Sequence, residues 1–352
     1  MAILLIAGCT PDNNDDPDNT VIIPGVTGSY PVVVDFNPSS VRNYHGTYLG
    51  SYDIQEIGSQ LIEKSKAHFS VNEFILQEGQ IINNDRLLSL VRRESPTNPQ
   101  GLNPPTGSEF DIGDGIVLED PVLVADIVEI NFMQSQGDGL TLGGIAVAIV
   151  LNQVQRIETA TSVTIYDIDE TRLYEYASDV GRKLESYLRT LNTVGEIPIY
   201  IGLYSTKSVD SVVAGGYIGD GYFVSRSGQF QRNNERWLIF PSNEASSIDP
   251  ITSSSFNGLK QSLQQLLPEA VGVIGKGRYI NDELNYLKID IQLVAKTFME
   301  LKATTQLAAA IIEGFENPQA HILVEVMTLN KTLSIIERLP NQSRPTITYI
   351  QS

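Results

Sequence analysis

The stretch "VADIVEINFMQSQGDGLTLGGIAVAIVLNQ" (residues 124–153) decides how the rest of the chain is read. Two apolar-rich runs flank "SQGDG", and Gly137-Asp138-Gly139 supplies turn chemistry between them, so the predicted element is a long β-hairpin. Gly143-Gly144, inside the second arm, predicts a bulge or a close approach by another part of the chain. Ile145–Leu151 is the longest apolar run beyond the N-terminus. It falls far short of the roughly 20 residues that a membrane-spanning helix needs.

After the hairpin the period changes. In "DETRLYEYASDVGRKLESYLRTL" (169–191), Leu173, Ala177, Val180, Leu184, Leu188 and Leu191 recur on one helical face, the strongest helix signal in the chain. "IPIYIGLY" (197–204) then reads as a buried strand. Upstream, Ile54, Ile57, Leu61 and Ile62 have helical spacing, with Asp53 a candidate cap. "NEFILQEG" (72–79) predicts a strand, "NNDRLLSLVRRES" (83–95) a short helix, and the Pro- and Gly-rich 96–110 a loop. Downstream, "SFNGLKQSLQQLLP" (255–268) and "TQLAAAIIEGF" (305–315) predict helices. Strands are expected at 270–280, 287–294, 321–329, 333–339 and 346–350. This mixed order predicts an α+β fold with mixed or antiparallel sheets rather than strict βαβ winding. "YDI" occurs at 52–54 and again at 166–168. On that basis two related repeats are expected, 43–165 and 166–352, with the boundary near 155–170.

Charge excludes one class of partner. The chain has 352 residues, 41% of them hydrophobic, and a formal charge of −18. Such acidity repels phosphate backbones, so no nucleic-acid partner is expected. The single cysteine excludes an internal disulfide and a cysteine-based zinc site. His45, His68 and His321 lack ligand spacing, and no GxSxG marks a nucleophile elbow. "GVIGKGR" (272–278) imitates a phosphate loop without its spacing, and "AGGYIGDG" (214–221) lacks dinucleotide spacing. The three GDG triplets, at 113–115, 137–139 and 219–221, read as turns. Trp237 and Phe240 read as core, and Glu78 and Glu325 are the acid pair to check. No metal, cofactor or catalytic residue is assigned.

The cysteine sits in "MAILLIAGCTPDNNDDPDNT" (1–20). Ile6-Ala7-Gly8-Cys9 resembles a bacterial lipobox: a small residue precedes a thiol that takes a diacylglyceryl group, after cleavage between Gly8 and Cys9. The alternative is a buried strand with a structural cysteine. Pro11 and the acidic run after it suit a cleaved apolar segment better. No Lys or Arg follows Met1, so residues 1–8 read as a truncated signal peptide whose basic start is missing. Residues 9–42 read as the lipidated cysteine and a flexible acidic, Pro-rich tether of about 30 Å, with 21–40 extended or lying along the body as edge strands.

The body resembles the CamS family of sex-pheromone lipoproteins of Gram-positive bacteria. "FILQEGQII" (74–82), "GLNP" (101–104), "LGGIAVAIVLN" (142–152), "IPIYIGLY" (197–204), "SVVAGGYI" (211–218), "FPS" (240–242), "VGVIGKGRY" (271–279) and "LKIDIQL" (287–293) occur in the family's order. The resemblance runs from about Tyr44 to the C-terminus, with free departures at 94–115 and 155–190. It implies a protein held by lipid on Cys9 at the outer face of the bacterial cytoplasmic membrane, and a body of two related α+β repeats. It also implies an apolar heptapeptide, Ala2-Ile3-Leu4-Leu5-Ile6-Ala7-Gly8, released to act on a donor-cell receptor and stimulate conjugation. The family supplies no activity for the body. Envelope binding, a surface hydrolase acting on wall or peptide material, and a structural role stay open, in that order of preference.

Overall fold

The computed structural model describes residues 22–33, 37–137, 139–158, 162–207, 211–267, 271–294, 297–329 and 331–350, with backbone alone at 51 and 52. In chain order the elements are β1 (Ile22–Ile23), β2 (Val32–Val33), α1 (Arg42–Tyr48), α2 (Ser51–Ser65), β3 (Ile75–Glu78), α3 (Asn84–Val91), β4 (Glu109–Gly113), β5 (Ile116–Glu119), β6 (Val124–Gln136), β7 (Gly139–Asn152), β8 (Val154–Glu158) and β9 (Val163–Asp167). Then come α4 (Glu170–Arg189), β10 (Ile199–Thr206), β11 (Gly216–Val224), β12 (Ser227–Arg232), β13 (Glu235–Phe240), α5 (Asn243–Ile248) and α6 (Pro250–Leu266). The chain closes with β14 (Gly272–Ile280), β15 (Glu283–Gln292), α7 (Phe298–Glu313), β16 (His321–Thr328), β17 (Lys331–Arg338) and β18 (Thr346–Tyr349).

These strands make two large sheets, ordered β1-β2-β3-β6-β7-β10-β11-β12 and β13-β14-β15-β16-β17-β18. Both centre on one parallel pair flanked by antiparallel strands. In the first sheet, β6 and β7 form the expected hairpin, β10 lies parallel to β7, and β11 and β12 return antiparallel. In the second, β14 and β15 form a hairpin, β16 lies parallel to β15, and β17 and β18 return antiparallel. A strand antiparallel to the hairpin's first arm precedes each set, β3 in one and β13 in the other. One connection pattern is therefore used twice, with α4 and α7 as the crossovers that parallel neighbours require.

The fold is α+β, as the sequence predicts, but the sheets divide the chain elsewhere than at 155–170. The first sheet ends with β12 at Arg232 and the second begins with β13 at Glu235. The parallel pairing of β10 with β7 draws residues 199–232 back into the sheet begun before residue 165. Strands β8 and β9 are an excursion, a two-stranded ribbon that among the described residues pairs only with itself. The two "YDI" copies are not equivalent either: the first lies inside α2, the second at the end of β9. Part of the expected tether also belongs to the body. β1 and β2 pair at the sheet edge, Val32 joins Leu76 of β3, and buried Tyr30 donates to the Phe69 carbonyl at 2.5 Å.

Alternation along β7 explains why the first sheet is covered on both faces. Ile145, Val147, Ile149 and Leu151 point into a core shared with Leu173, Ala177, Leu184 and Leu188 of α4. Ala146, Ala148 and Val150 point the other way, into a core shared with Ile57 and Leu61 of α2. Asp169 caps α4 by accepting from the Thr171 and Arg172 amides at 2.9 and 3.2 Å. The second sheet packs α6 and α7 against one face, through Phe256, Leu259, Leu263, Ala308 and Ile312. Thr297 and Glu300 form a capping box at the start of α7.

Gly144 shows the close approach predicted at Gly143-Gly144. The ladder slips one residue there, between Phe132 and Met133 on the partner arm. A Cβ on Gly144 would meet the Phe69 ring at 2.2 Å. Gly144→Ala is expected to lower unfolding free energy by about 1–3 kcal/mol, as overpacked cores do. Chemical denaturation measures this, and adding Phe69→Leu should return part of the loss; an unchanged midpoint in Gly144→Ala would contradict the packing described.

Candidate binding cleft

Parallel strands end at the same edge, and β7 and β10 finish side by side, with Asn152 opposite Thr206. Neither end is closed by a hairpin to the other, so the chain leaves both and a recess forms between them. Its volume is about 230 Å³, and its lining includes Tyr48, Asp53, Asn152, Arg156, Ile165 and Lys207. The β8–β9 ribbon supplies one wall, α1 and the start of α2 the other.

Asp53 is the buried charge of this cleft, only 9% exposed. It is not the cap predicted for α2: Gly50 holds that position with no side-chain bond, and Asp53 stands in the first turn, where its charge suits the helix dipole. One carboxylate oxygen, Oδ1, accepts from the Tyr204 hydroxyl at 2.6 Å and the Gly215 amide at 2.9 Å. Burial, then the Asp53 carboxylate, push the Tyr204 pKa up, so its hydroxyl stays a donor. Opposite, the Lys207 ammonium donates to Gln153 Oε1 at 3.2 Å. Arg156 pairs with Glu158 at 2.8 Å, both 62% exposed, a contact worth at most about 1 kcal/mol. The aromatic wall is two rings deep: Tyr48 lies 4.3 Å from Tyr44, whose hydroxyl donates to the Ala125 carbonyl at 3.2 Å. Burial, then Asp126 and Tyr48, push the Tyr44 pKa up to about 12.

Next to the cleft, α2 joins the two sheets. Glu56 pairs with Arg278 of β14 at 2.6 Å, and Arg278 also donates to Asn285 at 2.6 Å. Lys64 pairs with Glu235 of β13, which accepts from the Tyr217 amide at 2.9 Å. The Trp237 indole donates to the Gly215 carbonyl at 3.1 Å. Glu56 is held above the usual carboxylate range because burial outweighs the opposing pull of Arg278, with Glu235 and Asp53 adding repulsion.

The other residues singled out in the sequence are scattered over the fold. Glu78 is on β3 and Glu325 on β16, in different sheets, and Glu325 pairs with Lys288 at 3.2 Å. The phosphate-loop look-alike is strand β14, where a Cβ on Gly275 would meet the Phe256 ring at 2.8 Å. Gly113-Asp114-Gly115 is a turn with three positive φ angles, and Gly137 has φ 61°. The third triplet is not a turn: Asp220 is buried in β11 and accepts from Gln231 at 3.0 Å and from Asn233. The histidines are dispersed: His45 bonds Asp126 at 2.7 Å, His68 stacks on Tyr222 at 4.0 Å, and His321 bonds Glu337 at 2.9 Å. Among the described residues, no group of His, Cys, Asp and Glu is placed to hold a metal ion. None of their helices is long and apolar enough to cross a membrane. Cys9, Gly8 and the Ala2–Gly8 segment lie outside the described residues.

Fold and cleft together define a tandem α+β protein with a duplicated hairpin–helix–hairpin topology. The chain belongs to the family of the CamS sex pheromone cAM373 precursor, whose model matches residues 36–344. Among solved structures it is similar to the sex pheromone precursor of Lactobacillus salivarius subsp. salivarius UCC118, with TM-score 0.81 and 21% identity, covering 95% of this chain and 100% of that one. It is also similar to the C-terminal domain of the sex pheromone staph-cAM373 precursor from Staphylococcus aureus, with TM-score 0.71 and 18% identity, covering 86% and 98%. At these identities the likeness is one of fold. A search of curated proteins finds no match. The family is one of pheromone precursors rather than a known enzyme class.

The joint between the sheets predicts a pH dependence. A carboxyl group whose folded pKa is raised binds its proton more tightly when folded. Its stabilising contribution is present below the unfolded pKa and is lost as pH rises through the folded value. The stability of the wild type minus that of Glu56→Gln should therefore fall as pH rises from about 4. Urea titrations of both proteins from pH 4 to 7 measure it; a constant difference, or one that grows with pH, would contradict the assignment.

Proposed function

We propose that this protein is a lipid-anchored pheromone precursor. Cys9 carries the lipid, cleavage before it frees Ala2-Ile3-Leu4-Leu5-Ile6-Ala7-Gly8, and the folded body remains at the outer face of the cytoplasmic membrane as an envelope-binding protein. The observation that carries this reading is Ile6-Ala7-Gly8-Cys9, which holds the chain's single cysteine, in a member of a pheromone-precursor family. Both structural relatives are themselves sex pheromone precursors by name.

The chemistry is coherent. Two acyl chains anchor stably where one does not, at about 0.8 kcal/mol per buried methylene. Lipoprotein maturation requires the modified cysteine to become the N-terminus, so cleavage leaves an apolar, uncharged heptapeptide. Such a peptide partitions through lipid and suits a hydrophobic receptor groove that satisfies its backbone. Residues 10–21 span at most about 40 Å between the anchor and β1, which keeps the body close to the membrane.

Two measurements separate anchoring from signalling. Cys9→Ser, expressed behind a complete export signal, should leave the membrane fraction; retention after a high-salt wash would point to another anchor. Synthetic AILLIAG at nanomolar concentration should raise plasmid transfer from responsive donor cells, and the Leu4→Asp peptide should not. No response beside an active control peptide would leave the anchor role alone.

A further inference from the structure

We propose that the cleft at the ends of β7 and β10 binds the free amino end of a short apolar peptide, with the ammonium on Asp53 and the peptide's carbonyl or carboxylate groups towards Lys207 and Arg156. This site belongs to the folded body and is independent of acylation at Cys9 and of release of the heptapeptide.

Asp53 is an unbalanced charge. It is 9% exposed, yet both groups that bond it are neutral, the Tyr204 hydroxyl and the Gly215 amide, and both use Oδ1. Among the described residues, Oδ2 accepts no hydrogen bond and no cation lies within ion-pair distance. Lys64 and Arg278, the cations at the joint formed by α2, are committed to Glu235 and Glu56. A carboxylate seated this deeply loses much of its hydration even though its free oxygen opens into the cleft, and a ligand that brings a cation to that oxygen offsets the cost. A primary ammonium fits: it is compact, carries three donors, and makes a charge-assisted bond.

The rim selects the groups attached to the ammonium. Lys207 and Arg156 repel a bare cation and favour a ligand whose amine is followed by oxygen acceptors, as in a peptide. The wall beyond is apolar. Arg156 and Ile165 are direct cross-strand partners, so Val154, Arg156 and Ile165 share the ribbon face that lines the cleft. Ile165 is 62% exposed and Tyr48 60% exposed, large apolar surfaces lying open on either side of a recess of about 230 Å³. A few apolar residues of extended chain would cover both.

The test is calorimetric titration of the full chain carrying Cys9→Ser with the tripeptide Ala-Ile-Leu, its N-acetyl form, its C-terminal amide, and ethylamine. The free peptide should bind saturably. N-acetylation should weaken binding at least about tenfold, the loss expected when a charge-assisted bond to a buried carboxylate is removed. Asp53→Asn should lose affinity to the same extent without a fall in its thermal midpoint, because the amide oxygen still accepts from Tyr204 and Gly215 and an uncompensated charge is removed. The C-terminal amide should bind more weakly to the wild type, and Lys207→Gln should remove that difference. Equal binding of the acetylated peptide, undiminished binding by Asp53→Asn, ethylamine matching the tripeptide, or no saturable binding at millimolar concentration would each overturn the proposal. Should Asp53→Asn unfold, the free and acetylated peptides on the wild type still decide it.

Discussion

The parallel pairing of β7 with β10 is the constraint on which the first half of the molecule depends. Antiparallel neighbours need only a turn, but a parallel neighbour obliges the chain to travel back along the whole strand before it pairs. The twenty residues of α4 cover about 30 Å, enough to return past the eight residues of β10 at about 26 Å. The same demand recurs at β15 and β16, where α7 spans about 24 Å. Once the helix has returned, its apolar stripe must be buried, and the large branched residues of β7 are the surface it meets. The pairing also leaves two strand ends together with no turn between them, which is why the recess lies there.

The two halves share this topology but not their layering, and α2 makes the difference. It covers the small-residue face of β7, so the first sheet lies between helices. Among the described residues the second sheet packs its helices on one face, and its other face carries half-buried Tyr286, Lys288, Asp290, His321 and Glu325. One side of α2 buries Ile57 and Leu61 on the first sheet, while Glu56 and Lys64 reach residues of the second. A buried ion pair contributes little net stability, because desolvation offsets most of the attraction. Its use at this joint is geometric: misplacing the sheets would strand charges on both sides.

Local pattern makes the elements legible. The hairpin at 124–153, the face of α4 and the close approach at Gly144 all write themselves into short windows of sequence. The division of the chain does not, because parallel pairing is set by contact between residues some fifty positions apart, Ile145 with Ile199. The repeated "YDI" points to the wrong boundary since three residues carry no register. Asp220 misleads for the opposite reason: its glycine neighbours look like turn residues, yet they are glycines because Tyr174 and Phe223 crowd the strand there. Helix rules alone make Asp53 a cap. Its real partners, Tyr204 and Gly215, lie more than 150 positions away, and no local signal announces them.

The N-terminal edge of the first sheet ties these features to the proposed anchoring. Tyr30 inserts beside Phe132 and bonds the Phe69 carbonyl, and Val33 is buried, so the chain enters the body firmly at β2 rather than trailing from it. β1 and β12 are the opposite edges of an eight-stranded sheet, separated by about 34 Å at ordinary strand spacing. The chain therefore arrives at one edge and passes to the second sheet from the other. An anchor on Cys9 would join the body through the first edge, at a distance of up to about 40 Å. The cleft lies at the ends of the fifth and sixth strands from that edge. It stands about 20 Å along the sheet from the edge at which the chain enters, so the strands that receive the N-terminal segment and those that end at the cleft belong to one continuous ladder.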